Sequence, residues 1–225
     1  MLVIGHRGAA GYEPENTLRS FKKALKLGVD MVELDVYLCA SGELVVIHDK
    51  KVDRTTSGRG LVEEKTLKEL KRLKIARGQK IPTLNQVLNL LDGKIKVNFE
   101  LKGKNTAAPL AELIAKYIKI KGWSYNNFLV SSFKRKELAR FAALAPKVPL
   151  GLLVSRLHRK LPKYSKKFNF WSVHLAASRA DKKLINQAHC RGFKVFIWTV
   201  DKPAEIKKFK ALGVDGIFTN FPDRA

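Results

Sequence analysis

The sequence contains only two cysteines, Cys39 and Cys190, among its 225 residues. They are too few for a disulfide framework and show no CxxC spacing, so both are interpreted as reduced thiols rather than zinc ligands or nucleophiles. A run of about 18 apolar residues, which a membrane-spanning helix needs, is also missing. The opening MLVIGHRG lacks the basic leader and long apolar stretch of a signal peptide. We therefore expect a cytoplasmic protein without a membrane span.

Acidic residues are scarce, since 20 Asp and Glu stand against 44 Lys and Arg and give a formal net charge of +24. A strongly basic protein attracts nucleic acid, anionic lipid headgroups or phosphorylated substrates. The net charge alone does not indicate which of these is the partner. The lysines fall between apolar positions in helical segments such as SFKKALK, LKELKRLK and AEIKKFK. This spacing favours a solvated outer helix face over an anion-attracting surface. A basic nucleic-acid-binding protein is the alternative from another class, although we expect no nucleic-acid partner and nothing implies a protein partner.

Disordered or fibrous segments are not indicated, because 8 prolines and 15 glycines are dispersed between apolar stretches. With 45% hydrophobic residues, a chain of 225 residues can bury one substantial core. This length is near the lower end of the range for an eight-unit β/α barrel. We therefore expect a single domain over residues 1–225.

Short β-rich apolar runs recur along the chain with amphipathic helical segments between most of them. The predicted strands are 2–6, 31–36, 95–101, 127–133, 149–154, 170–175, 193–200 and 214–219. This alternation is typical of a parallel sheet with crossover helices. It predicts an α/β fold of the TIM-type (β/α)8 class, in which the chemistry lies at the C-terminal ends of the strands.

One apolar run, ELVVIH at 43–48, has no helix before it, because only CASG separates it from VELDVY. A two-residue turn would make this run the return arm of a β-hairpin. Counting outward from such a turn at Ser41 and Gly42 gives three pairs, Ala40 with Glu43, Tyr37 with Val46, and Asp35 with His48. The hairpin is thus expected to bring His48 back to the barrel mouth.

Residues 50–80 form the longest stretch without a convincing barrel strand. The stretch begins with a basic, turn-rich segment and contains one short predicted helix at 66–75. About thirty residues cannot bury a separate core without disulfides or metals, so we interpret the stretch as a short insertion at the C-terminal mouth.

Three carboxylates are expected at that mouth. Glu33 and Asp35 lie two residues apart on a predicted strand and therefore project from the same face, and Glu100 ends the next barrel strand in VNFELK. Converging carboxylates repel one another unless a cation or protons intervene. Oxygen-only ligands suit Mg²⁺, Ca²⁺ or Mn²⁺, so a divalent cation is the economical interpretation. An isolated ExD pair would more often be a surface feature.

His6 and Arg7 follow the first strand directly in VIGHRG, where Gly8 permits a tight turn. A histidine there can exchange protons near neutral pH, and a guanidinium can bind phosphate through two hydrogen bonds. A histidine alone is more often structural. The combination of motifs along the chain therefore carries more weight than any one of them.

A series of motifs occurs in order across the first 102 residues: HRG, PENT, GVDMVELDV, VVIHD, TTSGRG and FELK. This series resembles the glycerophosphodiester phosphodiesterase family, and FIWTVD and LGVDGIFTNFPD are similar to its C-terminal pattern. ASGE departs from the family's usual acidic-glycine turn, and WTVD has Asp where Asn often follows the valine. The resemblance implies metal-dependent hydrolysis of glycerophosphodiesters to glycerol phosphate and an alcohol, with Mg²⁺ as the first expectation for the metal.

The resemblance also implies roles for individual residues. The histidine acid/base pair corresponds to His6 and His48, the metal ligands to Glu33, Asp35 and Glu100, the phosphate-binding cations to Arg7 and Lys102, and a tryptophan near the glycerol to Trp198. Which histidine is the base stays open, as does attack by water or by the neighbouring glycerol hydroxyl. A related barrel phospholipase acting on intact lipid headgroups is the nearer alternative.

Residues outside these motifs receive weaker interpretations. His174 is interpreted as a core or rim histidine that could approach the mouth, and His158 and His189 as structural or solvated. Glu15 and Asn16 are expected to cap the first helix and to orient the HRG turn. Asp49 is interpreted as a hydrogen-bond partner, either of a histidine or of a residue that binds the metal.

Overall fold

A computed structural model describes residues 1–154 and 170–225, so His158 lies outside the described residues. Its strands are β1 (Leu2–Gly5), β2 (Met31–Leu38), β3 (Leu44–Val46), β4 (Lys96–Leu101), β5 (Phe128–Ser132), β6 (Leu150–Val154), β7 (Phe170–Ala176), β8 (Lys194–Trp198) and β9 (Gly216–Thr219). Each agrees within two residues with a strand or hairpin arm predicted from the sequence.

Eight of these strands form a closed parallel barrel. The sheet runs in the order β1, β9, β8, β7, β6, β5, β4, β2, and β1 also pairs with β2 to close it. The remaining strand, β3, lies outside the barrel and pairs antiparallel with the C-terminal half of β2. The predicted (β/α)8 barrel with a hairpin at its mouth is therefore confirmed.

The described helices are α1 (Leu18–Lys26), α2 (Leu67–Arg72), α3 (Leu84–Leu91), α4 (Ala107–Lys121), α5 (Arg135–Leu144), α6 (Lys182–His189) and α7 (Pro203–Ala211). Side chains at the N-caps of four of them accept a backbone hydrogen bond, which satisfies donors that the first turn leaves free: Thr17, Thr66, Thr83 and Asp181. None of the helices within residues 1–154 and 170–225 is both long and apolar enough to cross a membrane.

Two layers of buried side chains hold the barrel. Alternate residues of β2 illustrate the division, since Val32, Leu34 and Val36 pack outward into the large core between the strands and the helices. A smaller cluster fills the barrel interior and comprises Ile4, Met31, Leu129, Phe196 and Phe218. Polar side chains share the interior with this cluster, since the buried His174 of β7 is the register partner of Phe196 and stacks on its ring.

The hairpin differs from the prediction by one residue. Val36 pairs with Val46, Tyr37 with Val45, and Glu43 lies opposite Cys39. All three predicted pairs are therefore wrong: Ala40 with Glu43, Tyr37 with Val46, and Asp35 with His48. The turn contains three residues instead of two, since Gly42 N donates to Cys39 O at 3.0 Å and Cys39 N donates to Glu43 O at 3.0 Å. Gly42 has φ +94°, the conformation that closes a three-residue loop with a bulge.

The predicted insertion at 50–80 packs against this hairpin. Its residues Val52, Val62, Leu70 and Ile75 share an apolar cluster with Tyr37, Cys39, Val45, Ile47 and Ile81. The helix predicted at 66–75 is the shorter α2, which ends at Arg72 because Leu73 adopts an extended conformation. The insertion thus lies beside the strand ends and holds the segment after β3 in place.

Candidate active site

An acidic cluster lies at the C-terminal mouth of the barrel. Glu33, Asp35 and Glu100 can each offer a carboxylate oxygen such that the three oxygens lie within 4.8 Å of one another. Asp35 and Glu100 are register partners on β2 and β4, and Glu33 precedes Asp35 on the same inward face. Glu33 and Asp35 are 3% and 1% exposed. The strand alternation predicted from ExD therefore places the carboxylates together.

The carboxylates of this cluster destabilise one another's charged forms. Burial, together with the charges of Asp35 and Glu100, raises the pKa of Glu33 well above its usual range. Burial and the charge of Asp35 raise the pKa of Glu100 to about 7. One oxygen of Asp35 is buried without a hydrogen-bond partner in the described chain. Closely spaced carboxylate oxygens, one of them without a hydrogen-bond partner, fit a hard divalent cation such as Mg²⁺, Ca²⁺ or Mn²⁺.

Two basic side chains flank the carboxylates. Lys102 Nζ lies 3.0 Å from Glu100 Oε1 and 3.8 Å from Asp35 Oδ1. Arg7 Nε lies 3.4 Å from Asp35 Oδ2. Burial lowers the pKa of Lys102, but the charges of Glu100 and Asp35 outweigh it, so that the pKa is raised. Both cations line the same cavity as Glu33 and Glu100 and can reach an anion held there.

The turn after β1 sets the position of Arg7. Arg7 adopts φ 53° and donates its backbone N–H to Glu33 Oε2 at 2.9 Å. Gly8 follows with φ 88°, and a Cβ at this position would overlap Ser20 of α1. Only glycine fits this approach of the turn to the helix, which agrees with the prediction from HRG.

His6 is held by residues that follow the neighbouring strands β8 and β9. Its Nδ1 lies 2.8 Å from Asn220 Oδ1, and Asn220 Nδ2 donates to Asp201 Oδ2 at 2.7 Å. Because the amide N–H faces the carboxylate of Asp201, the amide oxygen faces His6 and Nδ1 carries the proton. Burial and the charge of Arg7 lower the pKa of His6 to about 4. The ring is thus neutral near pH 7, with Nε2 available as an acceptor.

His48 is fixed by a chain of charged groups. Its Nδ1 donates to Asp49 Oδ1 at 2.6 Å, and its Nε2 lies 3.1 Å from Lys102 Nζ. Arg54 of the insertion donates to the other oxygen of Asp49 at 2.6 Å. That hydrogen bond is the main cause that lowers the pKa of Asp49 to about 2, and it outweighs burial, which raises the pKa. Arg54 also makes two hydrogen bonds to Glu15, at 2.7 and 2.9 Å.

A small inner cavity of about 80 Å³ extends from the acidic cluster into the barrel. Its polar lining includes Asn98, Ser131 and His174, which are at most 1% exposed. Asn98 Oδ1, Ser131 Oγ and His174 Nδ1 have no hydrogen-bond partner among the described residues. Buried polar atoms without partners are costly. They are therefore positioned to bind hydroxyl groups or water that enter this cavity.

A larger outer groove of about 800 Å³ adjoins the inner cavity. The two share His48, Glu100, Lys102 and Phe133, so one continuous depression passes through the cluster of charged residues. Trp198 lies at the inner side and contacts Phe133 edge to face, with ring centroids 5.8 Å apart.

Seven of the eight predicted site residues line this depression, namely His6, Arg7, Glu33, His48, Glu100, Lys102 and Trp198. The eighth, Asp35, is buried beside it in the acidic cluster. The predicted capping role of Glu15 and Asn16 is wrong, because Thr17 caps α1. Asn16 instead donates to Asp35 Oδ2 at 2.8 Å, and Glu15 binds Arg7 at 2.8 Å, which orients the turn as expected.

Three residues of the network were missed by the sequence analysis, namely Arg54, Asp201 and Asn220. Each lies within or directly beside one of the motifs TTSGRG, WTVD and TNFPD. Their partners lie up to 214 residues away in the chain, so spacing gave no signal of the contacts. His174 is buried in the core as interpreted, although it also lines the inner cavity.

Comparison with known proteins agrees with this geometry. Residues 6–224 match the model of the glycerophosphoryl diester phosphodiesterase family. A glycerophosphodiester phosphodiesterase of Caldanaerobacter subterraneus subsp. tengcongensis is 37% identical over 99% of this chain and 95% of its own. One from Bacillus altitudinis is 36% identical over 99% and 96%. The structure of an Oleispira antarctica phosphodiesterase with the product sn-glycerol-3-phosphate superposes with a TM-score of 0.89 at 30% identity, covering 100% of this chain and 94% of that one.

Proposed function

This chain belongs to the glycerophosphoryl diester phosphodiesterase family, and we propose that it hydrolyses glycerophosphodiesters to glycerol phosphate and an alcohol. The observation that carries this proposal is one cavity at the barrel mouth that is lined by two histidines, two cations and two carboxylates of a cluster of three. Phosphodiester cleavage needs charge neutralisation, a base and an acid, and this set of side chains contains a candidate for each.

Glu33, Asp35 and Glu100 would hold one divalent cation, with Mg²⁺ as the first expectation and Ca²⁺ or Mn²⁺ as alternatives. The support is the oxygen-only donor set, together with the burial and the mutual repulsion that raise the pKa of Glu33 and of Glu100. When bound, such a cation supplies positive charge to the phosphate oxygens.

Arg7 and Lys102 would bind the non-bridging oxygens of the diester. Both are paired with carboxylates of the cluster, so both remain charged, and both are positioned before the substrate arrives. Preorganised charge of this kind stabilises the negative charge that builds up in the transition state. Their buried surroundings strengthen the interaction relative to bulk water.

The two histidines would divide the proton transfers. His6 lines only the inner cavity and is neutral near pH 7, so it is assigned to remove the proton of the attacking hydroxyl. His48 lines both the cavity and the outer groove, so it is assigned to protonate the departing alkoxide. When the phosphate binds the ammonium of Lys102, Nε2 of His48 is freed to take a proton from solvent. Asp49 stabilises the resulting imidazolium until it gives that proton to the departing alkoxide.

The glycerol of the substrate would occupy the inner cavity. The cavity is closed below by Phe218 and Leu153, so its size favours a small group. Asn98, Ser131 and His174 supply polar atoms that hydroxyl groups can satisfy. The attacking hydroxyl is that of water or of the glycerol itself. Detection of a cyclic glycerol phosphate by ³¹P NMR during turnover would select the second route.

A water-soluble diester is preferred over an intact lipid as the substrate. The large hydrophobic side chains that are exposed in the described chain are Met1, Ile120, Tyr125, Phe133 and Leu144. Of these only Phe133 lines the mouth. One aromatic side chain offers little apolar area for docking on a bilayer.

A hydrolysis assay tests the proposed function. Purified protein is treated with a chelator and then supplied with Mg²⁺, Ca²⁺ or Mn²⁺ in the presence of glycerophosphocholine, glycerophosphoethanolamine or vesicles of the matching phospholipid. We expect glycerol phosphate from both soluble diesters, loss of activity on chelation and its recovery with metal. Hydrolysis of the vesicles alone would replace the proposal with the phospholipase alternative.

The cytoplasmic location stays a prediction. It is supported by two cysteines that are both free in the described chain, one buried and one exposed. Cell fractionation with an antibody to the protein tests it.

A further inference from the structure

The outer groove has a strongly basic lining that the proposed reaction does not use. Beyond Lys102, it is lined by four exposed lysines, namely Lys50, Lys51, Lys104 and Lys134. Lys50 and Lys51 belong to the segment that follows β3, and Lys104 and Lys134 follow β4 and β5. Lysines from three separate parts of the fold therefore meet on one concave surface.

The carboxylates of the groove do not cancel this charge. Its acidic residues are Asp49, Glu63 and Glu100. Asp49 is already bound by Arg54, and Glu100 by Lys102. Glu63 is thus left to face the four further lysines. The groove is therefore positive in net charge beside a site that cleaves at a phosphate.

The groove is also placed where one end of the substrate must leave. It contains His48, the residue assigned to protonate the departing alkoxide, and it does not contain His6. Its volume of about 800 Å³ is ten times that of the inner cavity of about 80 Å³. The inner cavity suits one glycerol, so the larger and more variable alcohol extends into the groove.

We propose that the outer groove binds the leaving alcohol and selects alcohols that carry a negative charge, such as a second phosphodiester or a phosphate ester. This inference rests on the proposed function. The lysines act within about 8 Å, the screening length at physiological ionic strength, so they attract an anionic group in the groove and repel a quaternary ammonium. Part of the charge of +24 thereby has a specific use at the mouth.

Three soluble substrates isolate this effect. Glycerophosphoglycerol has a neutral leaving glycerol, and bis(glycerophospho)glycerol has the same leaving glycerol with one further anionic phosphodiester. Glycerophosphocholine has a cationic leaving alcohol. After correction for the two equivalent ends of the bis-diester, we expect its kcat/KM to exceed that of glycerophosphoglycerol by about tenfold, since exposed ion pairs each contribute roughly two- to fivefold. The preference should shrink as the salt concentration rises.

A matched pair of double variants locates the effect in the groove. Lys50→Gln with Lys104→Gln removes two charges from the groove and is expected to reduce the preference for the bis-diester by about threefold or more. Lys116→Gln with Lys119→Gln removes the same charge from the exposed face of α4. This control is expected to leave kcat/KM unchanged for both glycerophosphoglycerol and bis(glycerophospho)glycerol.

The possible results separate the two proposals. Hydrolysis of glycerophosphoglycerol without a preference for the bis-diester overturns the inference and leaves the proposed function standing. An equal loss of preference in both double variants also overturns it, because the net charge and not the groove would then be responsible. Hydrolysis of none of the three diesters overturns the proposed function, and this inference with it.

Discussion

Nδ1 of His48 lies 2.6 Å from Oδ1 of Asp49, the residue that follows it in the chain. Asp49 thereby fixes the imidazole ring of His48, whose other nitrogen faces Lys102. Asp49 is fixed in turn by Arg54, which is 50% exposed in its side chain and bridges to Glu15. A surface arginine of the insertion therefore contributes to the position of a histidine at the barrel mouth.

Asp49→Asn should lower kcat by about tenfold or more with a small change in KM. The amide keeps the shape of the side chain but removes the charge that stabilises the imidazolium, and it can fix the wrong tautomer of His48. Steady-state kinetics on glycerophosphocholine measure the effect. Asp92→Asn, at an exposed helix end where Asp92 has φ 50°, is the matched control and should keep normal turnover. Equal kcat values in all three proteins would remove Asp49 from the mechanism.

His6→Ala and His48→Ala should each lower kcat by about 10² or more while the fold stays intact. The double variant should be little worse than the poorer single variant, because residues that act in one step are strongly non-additive. Single-turnover kinetics, with circular dichroism as the check on folding, measure this. His189→Ala, far from the mouth, should retain turnover. Near-normal turnover of His48→Ala at saturating metal would end the two-histidine assignment.

Divalent metal should raise the melting temperature of the wild-type protein. At about 100 times Kd, ligand binding to the folded state adds ~2.7 kcal/mol to the free energy of unfolding. Glu100→Gln should lose most of this increase, since it removes one of three carboxylates whose oxygens lie within 4.8 Å of one another. Differential scanning fluorimetry with and without Mg²⁺ or Mn²⁺ is the measurement.

Glu112→Gln is the control for that experiment, because Glu112 is exposed on α4 and lies outside the cluster. It should respond to metal as the wild type does. An equal response of the wild type and of Glu100→Gln would show that the metal binds elsewhere.

His174 should make the folded protein less stable as the pH falls. Burial lowers the pKa of His174 from 6.5 to about 3. Below about pH 6.5 the unfolded chain therefore binds a proton that the folded protein does not bind, so the free energy of unfolding falls with falling pH until about pH 3. Between pH 7 and pH 5 the loss from this residue is ~2 kcal/mol.

His174→Gln should lack that part of the pH dependence, since its amide can keep the contact with Ser172 and does not titrate. Urea unfolding at pH 7 and at pH 5 measures the difference for both proteins. Equal losses of stability in the two proteins would mean that His174 becomes protonated in the folded state near its ordinary pKa.

The strand order and the acidic cluster could be predicted because both follow from short-range patterns. Apolar runs at regular intervals gave the eight barrel strands, and the period of two residues placed Glu33 and Asp35 on one face. The hairpin register was wrong because the choice between a two-residue and a three-residue turn depends on the backbone of Gly42. His48 still reaches the mouth because β3 ends at Val46 and the segment beyond it is held by Asp49 and Lys102.

The sequence by itself determined the barrel, the residue types at its mouth and their order along the chain, since periodicity and tight turns are local properties. Only the tertiary structure decided which groups touch. His6 meets Asn220 across 214 positions, Arg54 joins Glu15 to Asp49, and lysines after three strands line one groove. Such contacts arise when the barrel closes and brings β1 beside β9, and closure depends on the packing of every strand and helix together rather than on any one segment.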